Sequence, residues 1–373
     1  MDRRTVRPAV RWSLAVVALF VAASCGGDGG DDGDDEAGAP STTAAVATTA
    51  PDTTAPDTTA PDTVPETTSP ATTAARMEAP ATTEPPATTA PATGAAALTD
   101  LTIDPADALA ALECDGEGTP MLFIHGTGSS PEESFGPGFA AAIAAAAGDT
   151  AVCTIALPDR AVGDIQVSGE YVAVALAELA SSSGGPVPVL GHSQGVLVAR
   201  WAIAHWSPVA SASMLVAVAG PNAGAPVVDG LCAAGCAASL QQMRPASAFL
   251  AALDAAWSDV EVPVTVIRSL TDEFVPADSA AAVAGATLVT VQDVCPASTT
   301  THAGLLADAV TVAAAVSALE NGGVADPSSL GSELCAPPTD IDAAAVAAAG
   351  DAAFGAVLTA PVVTEEPPLA PYV

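Results

Sequence analysis

Residues 187–201 read VPVLGHSQGVLVARW, a stretch in which the hydrophobic period changes around a serine held between two glycines. Before Ser193, the residues Val187, Val189 and Leu190 make a short apolar run of the kind that builds a buried strand. After it, Val196, Leu197, Ala199, Ala202 and Ile203 recur at helical spacing. Ser193 therefore falls at a strand-to-helix turn, and Gly191 and Gly195 supply the room such a tight turn needs, because a Cβ there collides with the neighbouring element. An elbow of this kind presents a nucleophile. In a chain with 31 glycines the pattern Gly-x-Ser-x-Gly also arises by chance, so the partners of Ser193 decide its meaning.

The flanking sequence alternates strand and helix. "PMLFIHG" (120–126) predicts a strand, "SFGPGFAAAIAAAAG" (134–148) a helix, "TAVCTIALP" (150–158) a strand and "IQVSGEYVAVALAELASSSGG" (165–185) a helix closed by glycines. Beyond the elbow come the strand "SMLVAVAG", an Ala-rich excursion over 221–258, the strands "VPVTVIRSL" and "ATLVTVQDV", a helix from His302 to Leu319, and one or two Ala-rich helices in "DIDAAAVAAAGDAAFGAVL". This alternation predicts an α/β fold: a mainly parallel sheet with helices on both faces, occupying 98–373.

The preceding residues are of another kind. Four of the nine basic residues (Arg3, Arg4, Arg7, Arg11) precede the apolar segment "WSLAVVALFVAAS", which ends at Cys25. That is a secretory signal, too short for an ordinary membrane span. Val21-Ala22-Ala23-Ser24-Cys25 has the small residues of a bacterial lipobox, so residues 1–25 are expected to be a lipoprotein signal and Cys25 the lipidated anchor. Residues 26–97 are Gly/Asp-rich and then Thr/Pro/Ala-rich, with the five-residue repeat "TTAPDTTAPDTTAPD". They cannot bury a core and read as a disordered, semi-stiff stalk. The formal charge of -34, with 43 acids against nine bases, all arginine, disfavours nucleic acid as a partner. Seven cysteines in an exported chain leave six once Cys25 is lipidated, and Cys232 and Cys236 most simply pair across their short loop, a free or metal-bound pair being the weaker alternative. None of the six has a zinc-ribbon or redox spacing with histidine nearby, and no metal or organic cofactor is implied.

A serine hydroxyl needs a histidine to take its proton and a carboxylate to orient that histidine. Of the four histidines, His192 adjoins the serine and is expected to point elsewhere, His125 follows an early strand, and His205 lies along the elbow helix; only His302 follows the later strands. In the order serine, acid, histidine, the base is His302. The acid then lies between Ser193 and His302 at the end of a strand. Asp272 in "VPVTVIRSLTDEFVPAD" fits, with Glu273 and Asp293 as competitors. The N–H of Gln194 and the loop "FIHGTGSS", with Thr127 as its best candidate, are placed to form an oxyanion hole.

These residues resemble the lipases of the Candida antarctica lipase B type and their actinobacterial relatives. The matching pieces run in order: Cys114, "HGTGSSPEESF", Cys153, "PVLGHSQGVLVARW", "SLQQMRPASAFLAAL", "SLTDEFVPAD", "VCPASTTTHAGLL" and Cys335, over about residues 98–340. The resemblance implies an α/β-hydrolase fold, a triad of Ser193, Asp272 and His302, an oxyanion hole of Thr127 and Gln194, and disulfides Cys114–Cys153 and Cys295–Cys335, with Cys232–Cys236 left as the third. It also implies that 221–258 is a helical cover. His192 departs from the pattern, standing where the fungal enzyme has tryptophan, and Asn222 stands where that enzyme has an aspartate near the acyl pocket. Leu231, Leu240, Met243, Phe249 and Leu250 are candidates for an acyl tunnel or for the packing of the cover itself.

The expectation is thus a surface-tethered serine lipase or carboxylesterase, monomeric, acting on an ester or lipid substrate with an apolar acyl chain. An extracellular acyltransferase on the same triad is the nearest alternative, and an inactive hydrolase fold serving as a surface adhesin is a more distant one.

Overall fold

The computed structural model describes residues 98–207 and 210–373. The signal segment, Cys25 and the stalk lie outside the described residues. Seven strands form one sheet: β1 (Leu112–Asp115), β2 (Thr119–Ile124), β3 (Thr150–Ile155), β4 (Val187–His192), β5 (Ala212–Val218), β6 (Val264–Arg268) and β7 (Thr287–Thr290). Their order is β1-β3-β2-β4-β5-β6-β7, parallel throughout except for β1, which runs antiparallel to β3 at the edge.

Each central strand sends alternate side chains to opposite faces. Leu122 and Ile124 of β2, Val189 of β4, and Leu215 and Ala217 of β5 join one core with Trp201, Leu176 and Val172 from the helices Gln194–Trp206 and Ile165–Ser183. Met121 and Phe123, Leu190, Val216 and Val218 join the other, with Phe139, Ile143, Val310 and Ala314. The two faces are therefore covered by different helices, as the apolar character of the strands demands. The helix Ile165–Ser183 begins where Asp164 accepts the N–H of Gln166 and stops at Gly184, whose φ of 78° is left-handed.

Four features differ from the sequence reading. Gly136-Pro137-Gly138 breaks the expected helix 134–148 into Pro131–Phe135 and Phe139–Ala147. "ATLVTVQDV" is strand only over Thr287–Thr290; Val291–Val294 turns into a helical coil. The helix expected from His302 is a 3₁₀ turn, Ala303–Ala307, followed by Ala309–Glu320, because Asp308 caps the N–H groups of Val310 and Thr311 and restarts it. The edge strand β1 and the helix Pro105–Ala110 are additional, and both are too short and exposed to carry a periodic signal.

Three disulfides join Cys114 to Cys153, Cys232 to Cys236 and Cys295 to Cys335. The first links β1 and β3 at directly paired positions. The cover comprises three short helices, Val227–Leu231, Ala238–Gln242 and Ala248–Trp257. The C-terminal helix Ala343–Thr359 leads into a strap that ties the cover down. Val363 and Cys236 exchange backbone hydrogen bonds at 2.8 and 3.0 Å, Glu366 accepts the N–H groups of Ala248 and Phe249, and the Tyr372 hydroxyl accepts the Trp201 indole N–H at 3.2 Å.

Candidate active site

All the singled-out loops leave the carboxyl edge of the parallel sheet, where α/β folds gather their ligands. Ser193 sits at the end of β4 with φ 55° and ψ -127°, a strained backbone that its N–H stabilises by donating to Val218 O at 2.8 Å. The flanking glycines are compelled. A Cβ at Gly191 would lie 2.7 Å from the Gly195 carbonyl, and one at Gly195 would lie 2.3 Å from Ile124 O.

Asp272 leaves the loop after β6 with only 2% of its side chain exposed, and its Oδ2 accepts Nδ1–H of His302 at 2.8 Å. Its Oδ1 accepts the N–H groups of Phe274 (2.9 Å) and Val275 (2.8 Å). Burial pushes this carboxyl's pKa up, but the hydrogen bond and charge of His302 and the two backbone N–H groups outweigh it and hold Asp272 below its ordinary range. Glu273, the competitor, accepts the backbone N–H of His302 at 2.9 Å instead, and Asp293 lies in the helical turn Val291–Val294. The two loops are also stitched together by Ser269 and Thr271, whose hydroxyls donate to Thr300 O at 2.7 and 2.9 Å.

Ser193 and His302 border one cavity of about 400 Å³. Among the described residues no hydrogen bond joins the two side chains, a separation common in unliganded sites that closes with substrate. Thr127 also borders the cavity, and its hydroxyl donates to Gln194 Oε1 at 2.5 Å. Gln194 is wholly buried, and its Nε2 has no partner among the described residues. Its backbone N–H opens a helix, where the first N–H groups have no intrahelical acceptor. Gly126 stands so close that an added Cβ would be 2.9 Å from Ser193 Cβ and 3.4 Å from its Oγ.

The remaining histidines are placed with equal definiteness. His192 does not point away from the site: it lines the cavity, its ring centroid is 5.0 Å from that of His302, and its Nε2–H donates to His302 O at 3.2 Å. Burial, and then the proximity of His302, pushes its pKa down to about 3. His125 donates from Nδ1 to Gly126 O (2.9 Å) and accepts Leu157 N–H at Nε2 (3.1 Å), a pair of roles open only to the neutral ring, and burial pushes its pKa down to about 4. His205 lies tilted against Trp201 away from this cavity, with ring centroids 4.2 Å apart.

The candidate tunnel residues divide. Leu231, Leu240 and Met243 line the cavity, whereas Phe249 stacks on Trp201 and Leu250 packs in the core beneath the cover. Asn222 is turned from the cavity, accepting from Arg200 Nη1 at 3.1 Å and donating to Ala280 O at 2.8 Å. The C-terminal helix, which sequence reading left without a role, supplies Val346, Ala353, Phe354 and Val357 to the wall. Phe274 stands against both His302 and Phe354, at centroid distances of 5.5 and 6.2 Å.

No protein-family model matches the chain. Lipase B of Pseudozyma antarctica is 31% identical over 289 residues, which are 70% of this chain and 83% of that protein. The crystal structure of Aspergillus fumigatus lipase B superposes with a TM-score of 0.66 at 24% identity, covering 73% of this chain and 72% of that one. The strained serine, the parallel sheet beneath it and this likeness agree: the chain belongs to the lipase B family of α/β-hydrolases and is a carboxylic ester hydrolase.

Proposed function

We propose that this is a surface-tethered serine lipase or carboxylesterase that cleaves esters of apolar acyl chains through an acyl-enzyme. The observation that carries the reading is the 2.8 Å Asp272–His302 pair at the edge of the cavity that Ser193 enters on a strained turn. His302 Nε2 takes the hydroxyl proton as Ser193 attacks the ester carbonyl. Asp272 fixes the imidazole with Nδ1 protonated and stabilises the imidazolium that forms. The N–H groups of Thr127 and Gln194 hold the tetrahedral oxyanion. His302 then protonates the departing alcohol, and water, deprotonated by the same ring, releases the acid. The acyl chain lies along Val228, Leu231, Leu240, Met243 and Val357, an aliphatic wall that offers no partner to a polar chain.

Residues 98–373 are the catalytic domain in this reading, 26–97 its spacer and Cys25 its anchor on the outer face of a membrane. Three disulfides fit an oxidising compartment. The test is hydrolysis of 4-nitrophenyl esters from acetate to palmitate by the full chain. Activity sustained through the long esters supports a lipase, activity confined to acetate and butyrate makes it a short-chain esterase, and none at any length defeats the proposal.

A further inference from the structure

Asp159, Arg160 and Ala161 have φ of 49°, 57° and 58°, three consecutive left-handed residues without a glycine among them. L residues avoid such runs because Cβ crowds the following carbonyl oxygen, so surrounding contacts must hold this one in place. The turn, Pro158–Ala161, is a left-handed coil directed at the loop after β2. Arg160 grips Gly128 from both sides: its carbonyl accepts the Gly128 N–H at 2.7 Å, and its Nε donates to the Gly128 carbonyl at 2.8 Å. Its Nη2 also pairs with Glu133 at 2.5 Å. At the other end of the same loop, Leu157 N–H is held by His125. Gly128 itself is left-handed, at φ 75°, and a Cβ there would lie 2.2 Å from Ala353 O of the C-terminal helix.

We infer that Arg160 is a positioning residue of the oxyanion hole, its strained turn pinning Gly128 and with it the peptide that follows Thr127, so that the Thr127 N–H, on the adjoining peptide, is held where negative charge develops. The inference rests on the proposed acyl-enzyme reading. Pinning the N–H of Gly128 fixes the orientation of the peptide that follows Thr127, and pinning its carbonyl removes the other rotation available to a glycine. Preorganised donors act because they need no rearrangement when the charge appears. Arg160 touches no substrate, and its effect is confined to the tetrahedral state.

The test compares Arg160→Gly and Arg160→Lys in the full chain. Glycine accepts the left-handed backbone without strain and keeps the carbonyl acceptor, so it isolates loss of the guanidinium. Lysine keeps the charge beside Glu133 and loses the fork. With 4-nitrophenyl butyrate, kcat is expected to fall on the order of tenfold in Arg160→Gly, with KM within about twofold. The Ki of phenylethylboronic acid, which forms a tetrahedral serine adduct, is expected to rise by the same factor as kcat falls, and Arg160→Lys to show the same pattern. A folded Arg160→Gly or Arg160→Lys whose kcat and boronate Ki are unchanged overturns the inference, as does a kcat loss with Ki unmoved. A wild type that boronate does not inhibit, or a Ser193→Ala variant that keeps its activity, would instead remove the acyl-enzyme reading on which it stands.

Discussion

Acidification should unfold this protein in a window set by two buried neutral histidines, His125 in the loop after β2 and His192 at the end of β4. Burial holds His125 at about 4 and His192 at about 3, against an ordinary 6.5 for an unfolded chain. Below pH 6.5 the unfolded state takes up two protons that the folded state refuses, so stability falls as pH falls. The loss continues until about pH 4 for His125 and about pH 3 for His192. Each ring costs about 1.4 kcal/mol per pH unit inside its window, so the pair removes about 5 kcal/mol between pH 7.5 and 4.5, a large part of an ordinary domain's stability. Neutralising surface acids on a chain of charge -34 works in the opposite direction by relieving repulsion. A difference measurement removes that background: urea unfolding, followed by tryptophan fluorescence at pH 7.5, 6.0 and 4.5, for wild type and His192→Asn. The variant's stability should depend on pH less steeply by about 1.4 kcal/mol per unit between pH 6 and 4.5. Parallel profiles would refute the claim that His192 is held neutral by burial.

Other consequences are equally specific. Asp272→Asn should lower kcat by about 10⁴, because the amide cannot hold the imidazole with Nδ1 protonated, while Glu273→Gln should cost less than about tenfold; similar losses in both would transfer the role of acid. Asp272 also owes its lowered pKa to the folded state, so its contribution to stability is fully present above the ordinary 3.8 and is lost as pH falls from there through the lower pKa of the folded state. Replacing Cys295 and Cys335 by alanine opens a 40-residue separation and should cost about 4 kcal/mol in urea unfolding, against about 2 kcal/mol for the four-residue Cys232–Cys236 link; equal losses would contradict the loop-length account. Met243→Trp should lower kcat/KM for 4-nitrophenyl palmitate at least tenfold relative to butyrate, and an unchanged ratio would place the acyl chain elsewhere.

The sheet and the elbow were legible because parallel strands buried on both faces leave dense apolar runs, and because a nucleophile turn forces glycines at two positions. The order of the later strands, with the carboxylate and histidine in their following loops, suggested Asp272 and His302 as neighbours, and the two side chains lie 2.8 Å apart. What stayed hidden depends on three-dimensional approach. Nothing local shows that Glu273 caps the backbone of the residue whose imidazole Asp272 holds, because both carboxylates follow the same strand. The alanines of Ala343–Thr359 have no distinguishing period, so a helix that walls the cavity read as generic. The resemblance to the lipase B type put Asn222 near the acyl pocket, yet the buried Arg200 draws it away. The left-handed Asp159–Ala161 turn contains none of the glycines that announce such backbone.

The most direct test of the central claim is intact-protein mass after treatment with a fluorophosphonate, followed by peptide mapping, on wild type and Ser193→Ala. The account predicts one adduct per wild-type chain, on Ser193, with loss of ester hydrolysis in step with labelling and no adduct on the variant. A folded wild-type chain that hydrolyses esters but carries no adduct, or an adduct that persists in Ser193→Ala, would contradict it.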